Sequence, residues 1–580
     1  MFVAQFVASD SATMDEQLRE RIVWILAFLL VPGVFIMILL APEFTAAVLR
    51  ARLGRGPASR IDDMLEWMAL VLATYSMAGT GFIAALAWDA LAFDRRDAAM
   101  LGPLPLRPLT IMTAKLAALG TLLAAGSLPI NLLNAAVFAG VTGDQLGWTV
   151  LVTHLMDIFA AAVAASIFVF AAIVMIRTTV GWIGGPRLMA ALGPPLQFVC
   201  LVALLSLVTL SPAVFSIRFM TNTLANWMPP AWFMGAFEYL RGSSRTFSRD
   251  VPVLMLARRA CVGTAIAIAG AWMTTVLEVR RQLVRASAAS PSLGLVGSAR
   301  VSRGLARVLV GRSGVARTTA DFILLTLART REPRMPIAIN AAIGATIVIA
   351  AMSMHTRNLS SLAHPRTAVL WIPLVVGYWI AVGVRASFFV TSEAPASWVF
   401  RLSAPRDATA YLSAVRASMM ALVVPPAIAT SALIMVPLLG WGSGAWHVLF
   451  DGMMAILLVE VVALTARHIP FTRPFQPGHA NLKARWWIYA VGLLAFAYLP
   501  ARWELRTLGN PTVLVEAVLL IAAAIVALEV IGRRKMGRWS IDAYEAAVAD
   551  DLSSVTVLGL GGPMQNVETA EAMRPNATPP

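Results

Sequence analysis

Charge is scarce in this sequence. Only 13% of its 580 residues are Asp, Glu, Lys or Arg, against 59% hydrophobic, where a soluble chain carries about 25% charged residues. With a mean hydropathy of +0.75, that scarcity excludes a soluble fold of this length. Cysteine is scarcer still: Cys200 and Cys261 are the only two, and both lie in apolar runs. They exclude a disulfide-stapled scaffold and read as small core residues. There is no H-E-x-x-H and no cluster of Cys and His, so no metal site is expected. A phosphate-binding G-x-x-x-x-G-K-[ST] loop is absent too. The nearest run, "GRSGVARTT" (Gly311–Thr319), lacks the Lys-Ser/Thr step that would hold phosphate and Mg²⁺. No cofactor is expected to bind to this chain.

What the sequence has instead is long apolar runs, many near or above the roughly 18–20 residues that cross a bilayer. Six are expected in the first half: Ile22–Leu40, Met68–Leu91, Leu109–Val137, Trp148–Ile176, Met189–Leu210 and Val253–Leu277. Six more follow: Ile337–Met354, Val369–Val384, Ala414–Leu439, Trp446–Ala466, Trp486–Leu499 and Val513–Ile531. The first run is too long for a signal-peptide core and has no cleavage site after it, so it reads as a retained span. The expected fold is all-α, a polytopic membrane protein of about 12 helices. Its expected parts are a first six-span half (1–279), an Arg-rich linker (280–336), a second six-span half (337–532) and a mostly disordered tail (533–580). From Ile541 to Pro580 that tail has six acidic residues against Arg574 alone.

The net charge of +15 is explained by cytoplasmic loops, which accumulate Lys and Arg. Modules that stack or read bases are missing, so nucleic acid is rejected as a partner. The stretch Glu278–Pro336 holds eleven Arg and three acidic residues and is expected in the cytoplasm. Counting spans from it places both termini inside a bacterial-type cytoplasmic (inner) membrane. "GRRKMGR" after the last span agrees. "RARLGRGPASR", after the first span, is basic yet counts as external. Residues 212–252 form the longest external loop, where Trp227, Trp232, Phe233 and Tyr239 suit an aromatic belt. Asp321–Pro336 reads as an amphipathic helix at the inner surface.

Two short charged hairpins lie at matching places in the halves. "FDRRDAAMLGPLPLRPLTIMTAKLAALG" (Phe93–Gly120) joins the second and third spans, and the stretch from Arg385 to Ser418 joins the eighth and ninth. Each leaves its span through a Phe (Phe93; Phe389). An acid follows (Asp97; Glu393), then an apolar segment, a Leu and a Pro (Leu106 and Pro108; Leu402 and Pro405), and a basic residue in the next span (Lys115; Arg416). This loose repeat suggests two fused homologous halves, a layout common in transporters. Asp97–Leu101 can begin a short helix with its acid at the positive end, and Pro103, Pro105 and Pro108 stop it and stiffen the return. Such a knob could pass movement from a soluble partner to two helices at once. Its alternative is an ordinary solvated turn.

"RRDAAMLGPLPLRPLTIMTAKL" resembles the intracellular loop of type-2 ABC (ATP-binding-cassette) export permeases, in which an acid, a short hydrophobic helix and an "LPL-x-P" step precede a Lys. Asp97, Leu104, Pro105, Leu106, Pro108 and Lys115 carry the likeness. "PPAWFMGAFEYLRG" (Pro229–Gly242) is similar to the external Pro-Pro-aromatic segment before the sixth span of such permeases. "FILLTLARTREPRMPIAI" resembles the interface helix before a half's first span. The second hairpin departs from the pattern at Leu402-Ser403-Ala404-Pro405. The resemblance implies a membrane pathway for an exported substrate, with ATP and Mg²⁺ bound by separate ATPase subunits, expected to number two per chain. It also implies coupling to those subunits through Asp94, Arg95, Arg96, Asp97, Leu101, Pro105 and Pro108 in the first hairpin. Glu393, Arg401 and Pro405 would serve in the second. The partners expected are thus the ATPase subunits, membrane lipid and a substrate the sequence does not identify.

Ionisable residues inside spans are functional candidates. His154 and Asp157 lie on the fourth span; His447, Asp451 and Glu460 lie on the tenth. His154, Asp157, Asp451 and Glu460 could line the pathway or carry protons. The plainer reading places His154, His447 and Asp451 at wet span ends, with Glu460 deeper. A rival reading is a proton-coupled carrier of 6+6 type. "AFDRR" (Ala92–Arg96) sits where the major facilitator superfamily has G-x-x-x-D-R-x-G-R-R, but Ala90 and Asp97 replace two of its glycines. A membrane-embedded enzyme would need a constellation in residues 212–252. Arg218, Glu238, Arg241, Arg245, Arg249 and Asp250 form none there.

Overall fold

The computed structural model describes residues 37–57, 59–88, 90–91, 93, 100–101, 104–214, 227–242, 252–286, 297–330, 333–355, 367–390, 409–465, 470–471, 486–508 and 510–536. Among them the chain is helical, with no strand. Nine stretches of the described residues are long and apolar enough to cross a membrane, so this is a multi-pass, all-α membrane protein. The chain divides into two compact units, Met1–Gly294 with Ala342–Ser361, and Leu295–Ala341 with Leu362–Pro580.

In the first unit, α1 covers residues 37–52, α2 Ser59–Leu86, α3 Pro108–Leu146, α4 Trp148–Val214, α5 Pro229–Leu240 and α6 Val253–Ala286. The centre is α2, buried without interruption from Met68 to Gly81, as befits a helix that is apolar all round. Helix α4 runs for 67 residues and holds two spanning stretches, Trp148–Gly184 and Leu192–Thr209. A Cβ at Gly81 would meet both Val169 and Leu204. Along a straight helix those two residues would stand about 50 Å apart, so α4 folds back and lays both arms against α2. The reversal falls between those two stretches. Phe44, Leu65, Met68, Phe138, Ile158, Met234, Phe237 and Leu256 share the resulting core.

The second unit contains α7 Gly297–Val310, α8 Gly314–Arg329, the start of α9 Arg334–His355, α10 Thr367–Ser387 and α11 Thr409–Ala463. It ends with α12 Trp486–Leu493, α13 Leu499–Thr507 and α14 Pro511–Met536. Helix α11 breaks at Gly440, whose φ of 79° is open to glycine and strained for other residues. Its two arms cover the expected ninth and tenth spans. Helices α12 and α13 are joined by a π-turn, Leu494–Tyr498. Pro500 has no N–H to donate, and the ladder before it shifts register, Leu499 N–H reaching the Leu494 carbonyl.

The structure moves several expected boundaries. The eleventh span does not stop at Leu499, because helical backbone continues to Thr507. The interface helix expected at Asp321–Pro336 begins at Gly314, where the Ser313 hydroxyl accepts from Ala316 N–H at 3.3 Å, and ends at Arg329. The preceding helix, α7, was not anticipated from the sequence. In the expected aromatic belt, Trp227 and Tyr239 are exposed but Phe233 is buried. The expected disordered tail and most of the first span lie outside the described residues.

Candidate functional site

The described part of the first hairpin is tied to three helices. Phe93, just past α2, is buried with Ile111 and Ala118 of α3 and Val279 of α6; Leu101 and Leu283 pack against them. The buried Lys115 ammonium donates to the Ala90 carbonyl at 2.7 Å. From that anchor the chain turns out. Leu104 N–H bonds the Leu101 carbonyl at 3.2 Å, Met100, Leu104 and Leu106 are exposed, and Pro105 is exposed between them. Pro108 opens α3 at its first turn, where a missing N–H costs nothing. Asp94, Arg95, Arg96 and Asp97 lie outside the described residues, as do Glu393, Arg401 and Pro405 of the second hairpin.

Interior charges are paired in each unit. In the first unit Arg177 on α4 stands 3.6 Å from Glu278 on α6, both buried. A Cβ on Gly181 would strike that carboxylate, so the missing side chain is what lets α6 approach. In the second unit Arg416, on the first arm of α11, binds Glu460 on the second arm and reaches Glu529 on α14 at 3.0 Å. Glu529 also holds Arg533 at 2.6 Å. Glu460 is buried and serves as half of an inter-arm ion pair.

His154 is buried, not wet. Its Nδ1 lies 2.9 Å from the Thr142 hydroxyl, and its ring packs against Phe138 and Phe237. Asp157 is half-buried beyond it. The next residue after Phe237, the fully buried Glu238, takes a 2.7 Å bond from Arg241, which also reaches Asp62 of α2 at 3.2 Å. Burial works against the Arg241 cation, but Glu238 and Asp62 outweigh it and hold its pKa above the usual value.

A seam without charge crosses the middle of the same unit. Ser166 of α4 accepts from Thr80 of α2 and from the Asn131 amide of α3, each at 2.9 Å. Asn134, one turn along from Asn131, is fully buried with neither amide atom hydrogen-bonded.

The second unit holds the densest ionisable group. His447 and Asp451 lie one turn apart on α11, and Glu504 of α13 faces them. His447 Nδ1 is 2.7 and 2.8 Å from the two Glu504 oxygens. The three residues are 0%, 1% and 0% exposed. The expectation of solvated span ends fails for His447 and Asp451, which are buried. Glu504 was not singled out from the sequence. It lies past Pro500, which reads as a helix end, and only the π-turn carries it back into the bundle.

Among the described residues no group of three or more His, Cys, Asp or Glu is arranged to hold a metal ion. Neither a family model nor a curated protein nor a solved structure matches this chain.

Proposed function

We propose that this chain is the membrane subunit of an ATP-driven exporter of the type-2 ABC kind, working with separate ATPase subunits. One observation carries the reading: the knob of Met100, Leu104, Pro105 and Leu106 stands exposed on an anchor shared by α3, α6 and the end of α2. An apolar knob that is held this firmly moves with the helices it joins. A soluble subunit pressing on it would displace several helices together. The sequence supports the same division of labour, since it has no loop to hold ATP.

In this reading the chain crosses the membrane twelve times as two fused halves, with both termini in the cytoplasm. The nine described spanning helices are part of that set. One copy serves two ATPase subunits, each docking on one hairpin. The first hairpin, with its full "LPLRP", contributes more than the second.

The test reconstitutes the chain with its candidate ATPase in lipid vesicles. Leu104→Asp or Asp97→Ala should abolish coupling, seen as loss of the ATPase stimulation by the membrane subunit, while membrane insertion and thermal stability are retained. Native mass spectrometry should show one chain to two ATPase subunits. Transport in vesicles driven by a proton gradient without ATP would overturn the reading in favour of a proton-coupled carrier.

A further inference from the structure

We propose that His447, Asp451 and Glu504 form a proton-binding site, with Asp451 carrying a proton that leaves when the cluster meets water. The inference goes beyond the export reading and does not depend on the energy source.

The geometry sets a charge-counting problem. With imidazole neutral and both carboxyls ionised, the cluster would hold two negative charges at essentially zero exposure. Burying uncompensated charge in a low-dielectric interior is strongly unfavourable. Among the described residues no Arg or Lys is ion-paired with Asp451 or Glu504. On α13, Arg502 and Arg506 are exposed, as is Glu516 on α14, and Arg385 of α10 bonds Thr465 instead. Two protons are what bring the cluster to zero.

The hydrogen bonds place those protons. One is shared within the His447–Glu504 pair, where both carboxylate oxygens lie in reach of one ring nitrogen. The other must sit on Asp451. Its Oδ2 is buried without a hydrogen-bond partner, and so is His447 Nε2, one turn away on the same helix. Two buried polar atoms without a protein partner are costly. They are satisfied when a water enters, and that water is also the acceptor for the Asp451 proton. Release is then a simple transfer: the Oδ2–H bond breaks, water becomes hydronium, and the cluster goes from zero to one negative charge. Burial of the site favours the loaded form, and entry of water favours release.

The test uses the purified full chain in lipid nanodiscs, with aspartate labelled by ¹³C at the side-chain carboxyl. Infrared spectroscopy then follows the carbonyl stretch of protonated aspartic acid against pH. One labelled band should persist at neutral pH, when exposed aspartates are ionised, and fade only on the alkaline side. Asp451→Asn should remove it. Asp451→Glu should also remove the labelled band while keeping a carboxyl in place, which covers the case in which the Asn variant does not fold. Absence of a protonated aspartate band at neutral pH would overturn the proposal. So would a labelled band that survives Asp451→Glu.

Discussion

His447 and Glu504 are 57 residues apart and meet as a two-oxygen pair, with one ring nitrogen 2.7 and 2.8 Å from both carboxylate oxygens. Neither residue touches solvent. The pair clamps the second arm of α11 to α13. Trp446 reinforces the clamp by donating to the Thr507 hydroxyl at 3.3 Å.

Because the pair is buried, removing one partner strands the other. Glu504→Ala should cost about 3–5 kcal/mol of stability. Glu504→Gln keeps an acceptor oxygen and should cost less. Thermal unfolding of the purified variants in one detergent would compare them, and an equal loss for both would argue against a polar clamp.

Arg416 links both arms of α11 to α14 through Glu460 and Glu529. Arg416→Ala leaves Glu460 buried without its counter-charge and should cost roughly 3 kcal/mol or more. Adding Glu460→Gln to that variant should recover part of the loss. A double-mutant cycle measures this directly: strictly additive costs would mean that the two residues do not interact.

Tyr378 reaches the α12 backbone only because position 492 is glycine. Its hydroxyl donates to the Tyr489 carbonyl at 2.8 Å, and a Cβ at Gly492 would collide with that same hydroxyl. Gly492→Val should destabilise by about 1–3 kcal/mol through overpacking. Tyr378→Phe, which loses only a hydrogen bond, should cost about 0.5–1.5 kcal/mol. In the double variant the two penalties should overlap, since the displaced hydroxyl is already gone; full additivity in unfolding experiments would contradict the contact.

The α7–α8 pair should be acid-sensitive. Asp321 is held by Arg303 at 3.0 Å and by Arg307 at 2.5 Å. Burial pushes its carboxyl up, but hydrogen bonds from Arg307 and Arg303 prevail and hold it below the usual carboxylate range. A folded pKa below the unfolded value of about 3.9 means the stabilisation is present above that value and is lost as pH falls through the folded one. Hydrogen exchange of α7 should therefore rise in acid, and Asp321→Asn should show the faster exchange already at neutral pH. An unchanged acid response in Asp321→Asn would assign the sensitivity elsewhere.

Orientation is testable with single cysteines after Cys200 and Cys261 are replaced. One at Arg303 should be shielded from impermeant thiol reagents in intact cells, and one at Ser243 should be labelled. The opposite pattern would invert the topology.

The class of this protein follows from its sequence alone. Apolar runs of spanning length need no partner to be recognised, because a bilayer accepts only segments whose backbone polar groups are satisfied within the segment or in a closed barrel. Two consecutive spans, Trp148–Ile176 and Met189–Leu210, already imply that α4 folds back. That Val169 and Leu204 share Gly81 as a neighbour was decided by packing. Pro500 reads as the end of a helix, because proline ordinarily is; only packing of α13 against the bundle makes the π-turn worthwhile and returns Glu504 to His447. Likewise, His447 and Asp451 lie near a span end, where hydropathy implies water, yet both are buried. Hydropathy is a sum over neighbours in sequence, whereas pairing and burial of a polar group depend on neighbours in space. The membrane-spanning helices were therefore decided by the chain itself, and the company of their charged residues by the tertiary fold.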